Sequence, residues 1–441
     1  MEKKSINRLF LEYMIPSTTG LLVTALYVIV DSIFIGRGIG QNALASLNIA
    51  YPIITVSSAI SLMIGMGAST VMTLHAGKKR IRELSLSYVL FFNGFFYLFL
   101  IFLVFCFPKF LMELLGSTPE IDNMVKTYIS FCSIGLIFLM ISTGLNAAVR
   151  NLGSPRYAFF SMVMGALCNV ILDWLFIFVF DFGIAGAAAA TSLGQILSFF
   201  LLYCYLRKRE IRFSFWPKRF QKQMIEKIFS IGFSSFIMEF AHAVMLVLFN
   251  KQFVKYGGEI SVAAFCIVAS TFYLFRMVFT GLSQGLQPIL SYFYGKKDYT
   301  FVQEAYQKAK ILSIIIGMIG FFICVIWKRS IMGMYHSDPD FVSLSANGLF
   351  LYVTSMIFVA FNFIVIAYYQ SIGDGRRAIF FSFIRSAIFL IPYLYILPIF
   401  IGVKGIWLTL TCAEISTTIL MLFFEKKNKI SIVVKHMLQI Y

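Results

Sequence analysis

"YAFFSMVMGALCNVILDWLFIFVF" occupies residues 157–180 and carries one charged side chain, Asp173. At about 1.5 Å per residue, a helix of this length crosses the ~30 Å hydrocarbon core of a bilayer. No alternating apolar and polar pattern runs through it, so it reads as a membrane helix and not as a barrel strand. A carboxylate in such a stretch costs at least a few kcal/mol unless it is paired or hydrated.

Similar runs recur along the chain, near 11–36, 48–74, 84–107, 125–148, 184–206, 226–250, 260–286, 306–327, 343–367, 379–401 and 404–424. With the quoted run they make twelve. Hydrophobic residues are 59% of the chain and charged residues 13%, more apolar surface than a water-soluble domain can hide. The expected fold is therefore an all-α integral membrane protein with twelve transmembrane helices. A monomer is expected beside it, although nothing in these counts decides the oligomeric state. The seven cysteines lie singly, with no CxxC, which predicts neither a disulfide framework nor a structural zinc. The basic start "MEKKSINR" precedes a run too long for a cleavable signal, and that run contains Pro16 and Asp31, so it is read as a retained first helix.

A formal charge of +17 invites a nucleic-acid partner, but the location of the charge excludes one. Loops at one end of the spans hold 26 Lys and Arg, and the alternate loops hold 8. The positive-inside rule then places both termini in the cytoplasm, with the chain multi-pass in the plasma membrane. The segment "RKREIRFSFWPKRFQK" reads as a cytoplasmic connector, with contact to anionic lipid as the other reading.

The chain repeats itself at an offset of about 218. "HAGKKR" at 75–80 aligns with "FYGKKD" at 293–298, pairing Gly77 with Gly295, and Gly67 aligns with Gly285. "NLGSPRYAFFSMV" from Asn151 matches "SIGDGRRAIFFSFI" from Ser371, and "GIAGAAAAT" from Gly183 matches "GVKGIWLTL" from Gly402. Two pseudo-symmetric six-helix lobes follow, residues 1–206 and 226–425, with a cytoplasmic linker at 207–225 and a cytoplasmic tail at 426–441. An even number of spans per half makes the repeats parallel, which is a transporter arrangement with its binding site between the halves.

Ionisable groups within the spans are Asp31, Asp173, Glu239, Glu414, Arg276, Arg385 and His242. Asp31, Asp173 and Thr191 all lie roughly 7–12 Å below the outer surface, counting residues from the span ends at about 1.5 Å each. Asn169 stands one turn from Asp173 on the same helical face. Two carboxylates, an amide and a hydroxyl at one depth can hold a hard cation such as Na+, or a proton on one carboxylate. At offset 220 the counterparts of Asn169 and Asp173 are Phe389 and Tyr393, and at 218 Asp31 becomes Phe249, so only the first half carries the oxygens. Pro16, on the same span as Asp31, removes a backbone hydrogen bond and permits a kink. Glu239 and His242 share a face of the seventh span, where they suit a cationic substrate or a proton relay. Arg276 on the next span could instead neutralise Glu239. The Phe, Tyr and Met residues suit cation–π and thioether contacts with a lipophilic cation.

These residues resemble the multidrug and toxic compound extrusion (MATE) family of the flippase and exporter superfamily. "IPSTTGLLVTALYVIVDSIFIG" is similar to the family's first helix, "GLQPILSYFYGKKD" to its eighth, and "YYQSIGDGRRAIFFSFIRSAIFLIPYLYILP" to its tenth-to-eleventh segment. The resemblance implies a V-shaped pair of lobes around a cavity, and export of organic cations or drugs in exchange for Na+ or H+. It also implies a cation site at Asp31, Asn169, Asp173 and Thr191, a seventh-helix acid at Glu239 and a first-helix kink at Pro16. The helix-ten acid of some members has no carboxylate here; only Asn362 lies nearby. A flippase for lipid-linked precursors or polysaccharides is the alternative function. No enzyme chemistry or cofactor is expected beyond the coupling ion, and no GxxxxGK[ST] motif points to an ATP-driven pump.

Overall fold

The computed structural model describes residues 4–108 and 122–438, apart from Arg212 and Lys218. Lys3, Lys109, Arg212 and Lys218 of the charge tally therefore lie outside the described residues. Helix α1 spans Ile6–Gly38, α2 Gln41–Leu74, α3 Lys79–Cys106, α4 Asp122–Asn151, α5 Pro155–Val179 and α6 Gly183–Lys208. The helical stretch Lys222–Gly295 contains Gly258 in the left-handed region (φ 69°), so it is two helices, α7 at 222–257 and α8 at 259–295. Then follow α9 (Tyr299–Ile326), α10 (Pro339–Val353 and Met356–Ser371, bent by 40°), α11 (Gly375–Ile401) and α12 (Val403–Leu438). Among the described residues there is no strand. Twelve membrane-length helices stand where the twelve apolar runs lie, and α12 stays helical past residue 425. Large apolar side chains face outward, as a lipid-facing surface requires: Ile399 and Phe400 on α11 are 69% and 78% exposed. The chain is a multi-pass membrane protein.

The packing shows the duplication more plainly than the sequence does. One core gathers α8 to α12 around the start of α1, where Leu9, Phe10 and Tyr13 are buried. A second gathers residues of α2 to α6 around the start of α7, with Met224, Ile228 and Ile231. Each half thus inserts the beginning of its first helix into the other half. Small residues permit the crossings. A Cβ on Gly67 of α2 would lie 2.0 Å from the Ile228 carbonyl oxygen, and one on Gly285 of α8 would lie 2.5 Å from the Met14 Cα.

These crossings and the buried polar contacts between halves cluster at the basic-loop end. Gln287 of α8 accepts from Asn151 (3.1 Å) and donates to Thr70 and to the Met66 carbonyl (3.3 Å). The connector 209–221 folds back over α3. The Tyr88 hydroxyl donates to the Arg219 carbonyl (3.0 Å) and accepts from the Gln221 amide (2.8 Å), and Trp216 meets Phe91 edge-on.

One sequence pairing shifts. The left-handed residue before the third helix of each half is Gly77 (φ 97°) in the first and Lys297 (φ 64°) in the second. The loop register is therefore 220 and not 218, and Gly77 does not correspond to Gly295. Gly153 and Gly373 (φ 92° and 80°) keep the 220 register read from the sequence.

α1 runs as one helix through Pro16. Thr19 donates to the Ile15 carbonyl (2.8 Å) on that turn, while Gly281 and Gly285 of α8 press on Thr18 and Met14 from the side.

Candidate functional site

α1, α5 and α6 meet because glycines let them. A Cβ on Gly194 of α6 would lie 2.7 Å from the Gly165 carbonyl oxygen and 3.1 Å from the Asn169 Cβ of α5. That approach brings the Asn169 amide nitrogen to 3.3 Å from the Thr191 hydroxyl, which accepts its hydrogen bond. One turn on, Asp173 is fully buried and its carboxylate faces that of Asp31, itself 7% exposed. The four residues expected to form one cluster do come together. Just past Asp173 the helix widens into a π-turn, Leu175–Val179, a feature often found beside functional sites.

The cluster leaves several of its acceptors unsatisfied. Both Asp173 carboxylate oxygens, Oδ1 of Asp31 and Oδ1 of Asn169 are buried and accept no hydrogen bond among the described residues. Buried acceptors left in this state cost free energy, so the arrangement favours an added proton or cation. Among the described residues no three or more His, Cys, Asp or Glu side chains group into a metal site. Carboxylate, amide and hydroxyl oxygens suit a hard, weakly held cation better than a transition metal.

Asp31 and Thr191 line a cavity of about 440 Å³, whose wall continues through Tyr27, Tyr51 and Gln195. Glu239, Tyr273 and Met277 line it from the second half. Asn169 and Asp173 stand behind this wall. Of the residues expected as a relay, Glu239 reaches the cavity and is also paired: the Arg276 guanidinium donates to it at 2.8 Å. His242 stacks on Tyr273 (6.2 Å between centroids, 19° between planes). Neither His242 nor Arg276 lines the cavity.

Arg150 falls between the apolar runs 125–148 and 157–180, so from sequence alone it reads as a loop residue. It occupies the last turn of α4, is 3% exposed and lines the cavity. Its guanidinium reaches the Asn146 amide oxygen (3.5 Å) and the Met66 sulfur (3.8 Å), and its Nε has no partner. The i, i+4 spacing from Asn146, with the helix-ending "NLG" just beyond, was the available signal.

The second half is filled differently. Phe249, the counterpart of Asp31, stacks on Phe265, and Tyr393, the counterpart of Asp173, shares a hydrogen bond with Ser416 (2.9 Å). Glu414, 1% exposed, accepts from Arg385 Nε (2.6 Å) and from Asn362 Nδ2 (2.7 Å). Asn362 thus meets a carboxylate from α12 whose cation, Arg385, is already in place.

The MatE family model matches residues 16–175 and 231–396, one segment in each half and most of the chain. The chain belongs to the MatE family. The multidrug export protein MepA of Staphylococcus saprophyticus is 24% identical over 94% of this chain and 92% of its own length. MepA of Staphylococcus haemolyticus is likewise 24% identical, over 98% and 96%. Among solved structures, MATE in complex with MaL6 is 19% identical, covers 98% of each chain and has a TM-score of 0.87. The outward-facing conformation of a multidrug resistance MATE family transporter is 19% identical over 96% of each chain, with a TM-score of 0.88. These likenesses show the twelve-helix MATE fold.

Proposed function

We propose that this MatE-family chain is a secondary active antiporter. It exports lipophilic organic cations or drugs across the plasma membrane in exchange for Na+ or H+, as a monomer with both termini in the cytoplasm. The observation that carries the reading is the Asp31–Asp173 pair, two apposed carboxylates with three oxygens that accept no hydrogen bond among the described residues, Asp31 in the wall of a cavity shared by both halves and Asp173 behind it. Asp31, Asn169, Asp173 and Thr191 would supply the oxygens for the coupling ion. Glu239 and the aromatic wall would attract a substrate cation. An ion that binds one arrangement of the halves better, and a substrate that binds the other better, displace each other through alternating access. The relatives named MepA are multidrug export proteins, which supports drugs as the cargo.

Efflux of ethidium from proteoliposomes, driven by an imposed Na+ or H+ gradient, tests this reading with Asp31→Asn and Asp173→Asn. One gradient should drive the wild type, and both variants should lose at least about tenfold of the rate, about 1.4 kcal/mol in barrier height. Normal coupled efflux by both folded variants would sink the ion-site reading.

One observation favours a second reading, flipping of a lipid-linked precursor. Arg150 offers the same cavity a cation with no carboxylate partner among the described residues, and such a group suits a phosphate. Translocation of a fluorescent polyprenyl pyrophosphate by vesicles that show no gradient-driven ethidium efflux would select it.

A further inference from the structure

A second cavity, of about 750 Å³, opens at the basic-loop end and plays no part in the reading above. Three segments line it with cations: Lys4 and Arg8 before and within the first turns of α1, Lys78, Lys79 and Arg82 at the start of α3, and Arg156 at the start of α5. Among the described residues its only lining carboxylate is Glu12, which Lys4 and Arg8 already bond at 2.5 and 3.2 Å. Lys78, Lys79, Arg82 and Arg156 make no ion pair among the described residues, and the Nε of Arg82 is buried without a partner.

The other half shows what this cleft lacks. At the start of α9, Asp298 caps the helix by accepting from the Phe301 amide (3.0 Å), and at the start of α11, Asp374 accepts from the Arg377 amide (3.1 Å). In the 220 register those aspartates correspond to Lys78 and Ser154. Lys78 makes no capping bond, and the Ser154 hydroxyl is turned away to Tyr205. Where the second half caps with aspartates, the first half has a lysine and a serine that does not cap. The two helices left uncapped, of 28 and 25 residues, begin at the wall of one cationic cavity. Free N–H groups and the positive end of the helix dipole both favour an anion there.

We propose that this cleft binds a phosphate-bearing anion, with Lys78, Lys79, Arg82 and Arg156 as its charged contacts. The tetrahedral, multiply charged phosphate group suits four cations from different segments, where a single carboxylate suits one. Two sources share this chemistry: the headgroup of an anionic phospholipid at the membrane surface, and a soluble phosphate compound.

The test uses the full chain, the double variant Lys79→Gln/Arg156→Gln and the charge-matched control Lys222→Gln/Lys308→Gln. Both control lysines are exposed and pair with glutamates outside the cleft. Pyrophosphate binding is titrated in detergent against sodium chloride of equal ionic strength. Retention of phosphatidylglycerol over phosphatidylcholine is measured by native mass spectrometry from mixed nanodiscs. Wild type and control should bind one probe about tenfold more tightly than the cleft variant. Binding of pyrophosphate assigns a soluble ligand, and retention of phosphatidylglycerol alone assigns a lipid headgroup. Ethidium efflux by the cleft variant reports that it folds. Binding of neither probe by wild type, or equal losses in the cleft variant and the control, would overturn the proposal.

Discussion

Replacing Arg385 with Met separates the buried Arg385–Glu414 pair from the proposed coupling-ion site. Glu414 is 1% exposed, and its two carboxylate oxygens are held by Arg385 at 2.6 Å and Asn362 at 2.7 Å. The Arg385 guanidinium also lies over the Phe363 ring at 4.6 Å. Met keeps most of the apolar stem but leaves Glu414 with one neutral donor. Breaking a buried pair from one side costs about 3–5 kcal/mol, because the remaining charge is uncompensated. Loss of the contact with Phe363 adds about 0.5–1 kcal/mol. Adding Glu414→Gln removes the orphaned charge, so the double variant should recover most of the loss. The assay is thermal unfolding of the four proteins of the cycle in detergent, with gradient-driven efflux as a second readout. Coupling between the two sites should exceed about 2 kcal/mol, and the double variant should retain the ion preference of wild type. Additive effects of the two substitutions would refute the claim that Glu414 is neutralised from within. A switch in the driving ion would refute the claim that coupling resides in the first half.

Gly67→Ala should destabilise the chain by about 1–3 kcal/mol or more, since its Cβ would meet the Ile228 carbonyl at 2.0 Å and backbone must move; thermal unfolding reads this directly. Gln287→Ala removes a buried amide that joins α8 to α2 and α4 and leaves the Asn151 donor short of a partner. About 1–3 kcal/mol of stability should go with it, and crosslinking between the halves at the basic-loop end should weaken. Arg150→Met should leave stability unchanged or raised, because no buried carboxylate is orphaned by it. The same variant should weaken the binding of substrates bearing an acid group and spare purely cationic dyes, as measured by fluorescence titration.

The spans were legible because each is a long apolar run, and nothing in water or lipid competes with a helix for such a run. The break inside Lys222–Gly295 was legible from "GGE" between two such runs. The oxygen cluster was legible because residues at i and i+4 share a face, and because depth follows from counting along three helices. Arg150 was not, since sequence gives a helix end only to within a turn, and one turn separates a loop arginine from a buried one. Whether Glu239 stands free or paired also lay beyond the sequence. It depends on how α7 lies against α8 across the break at the left-handed Gly258. The cleft at the basic-loop end required three segments to be seen together. The positive-inside rule accounts for each of its cations singly and is silent on their convergence.

The two halves also explain each other's chemistry. In the 220 register the counterpart of Arg385 is Gly165. A Cβ there would stand 2.0 Å from the Ser198 hydroxyl and 2.9 Å from the Gly194 carbonyl, so the first half has no room for a resident guanidinium. The same close approach holds Asn169 against Thr191. One feature of packing therefore both excludes a built-in cation and brings together the oxygens of the proposed ion site. Gly165→Ala should push α5 from α6 and lengthen the Asn169–Thr191 contact, at a cost of about 1–3 kcal/mol in stability. The expected result is a split: ethidium binding at the Glu239 wall stays near wild type while efflux driven by the ion gradient falls about tenfold. Binding and coupled efflux falling together would mean that the glycine serves the whole cavity. Coupled efflux unchanged in a folded Gly165→Ala protein would show that the contact between α5 and α6 does not build the ion site.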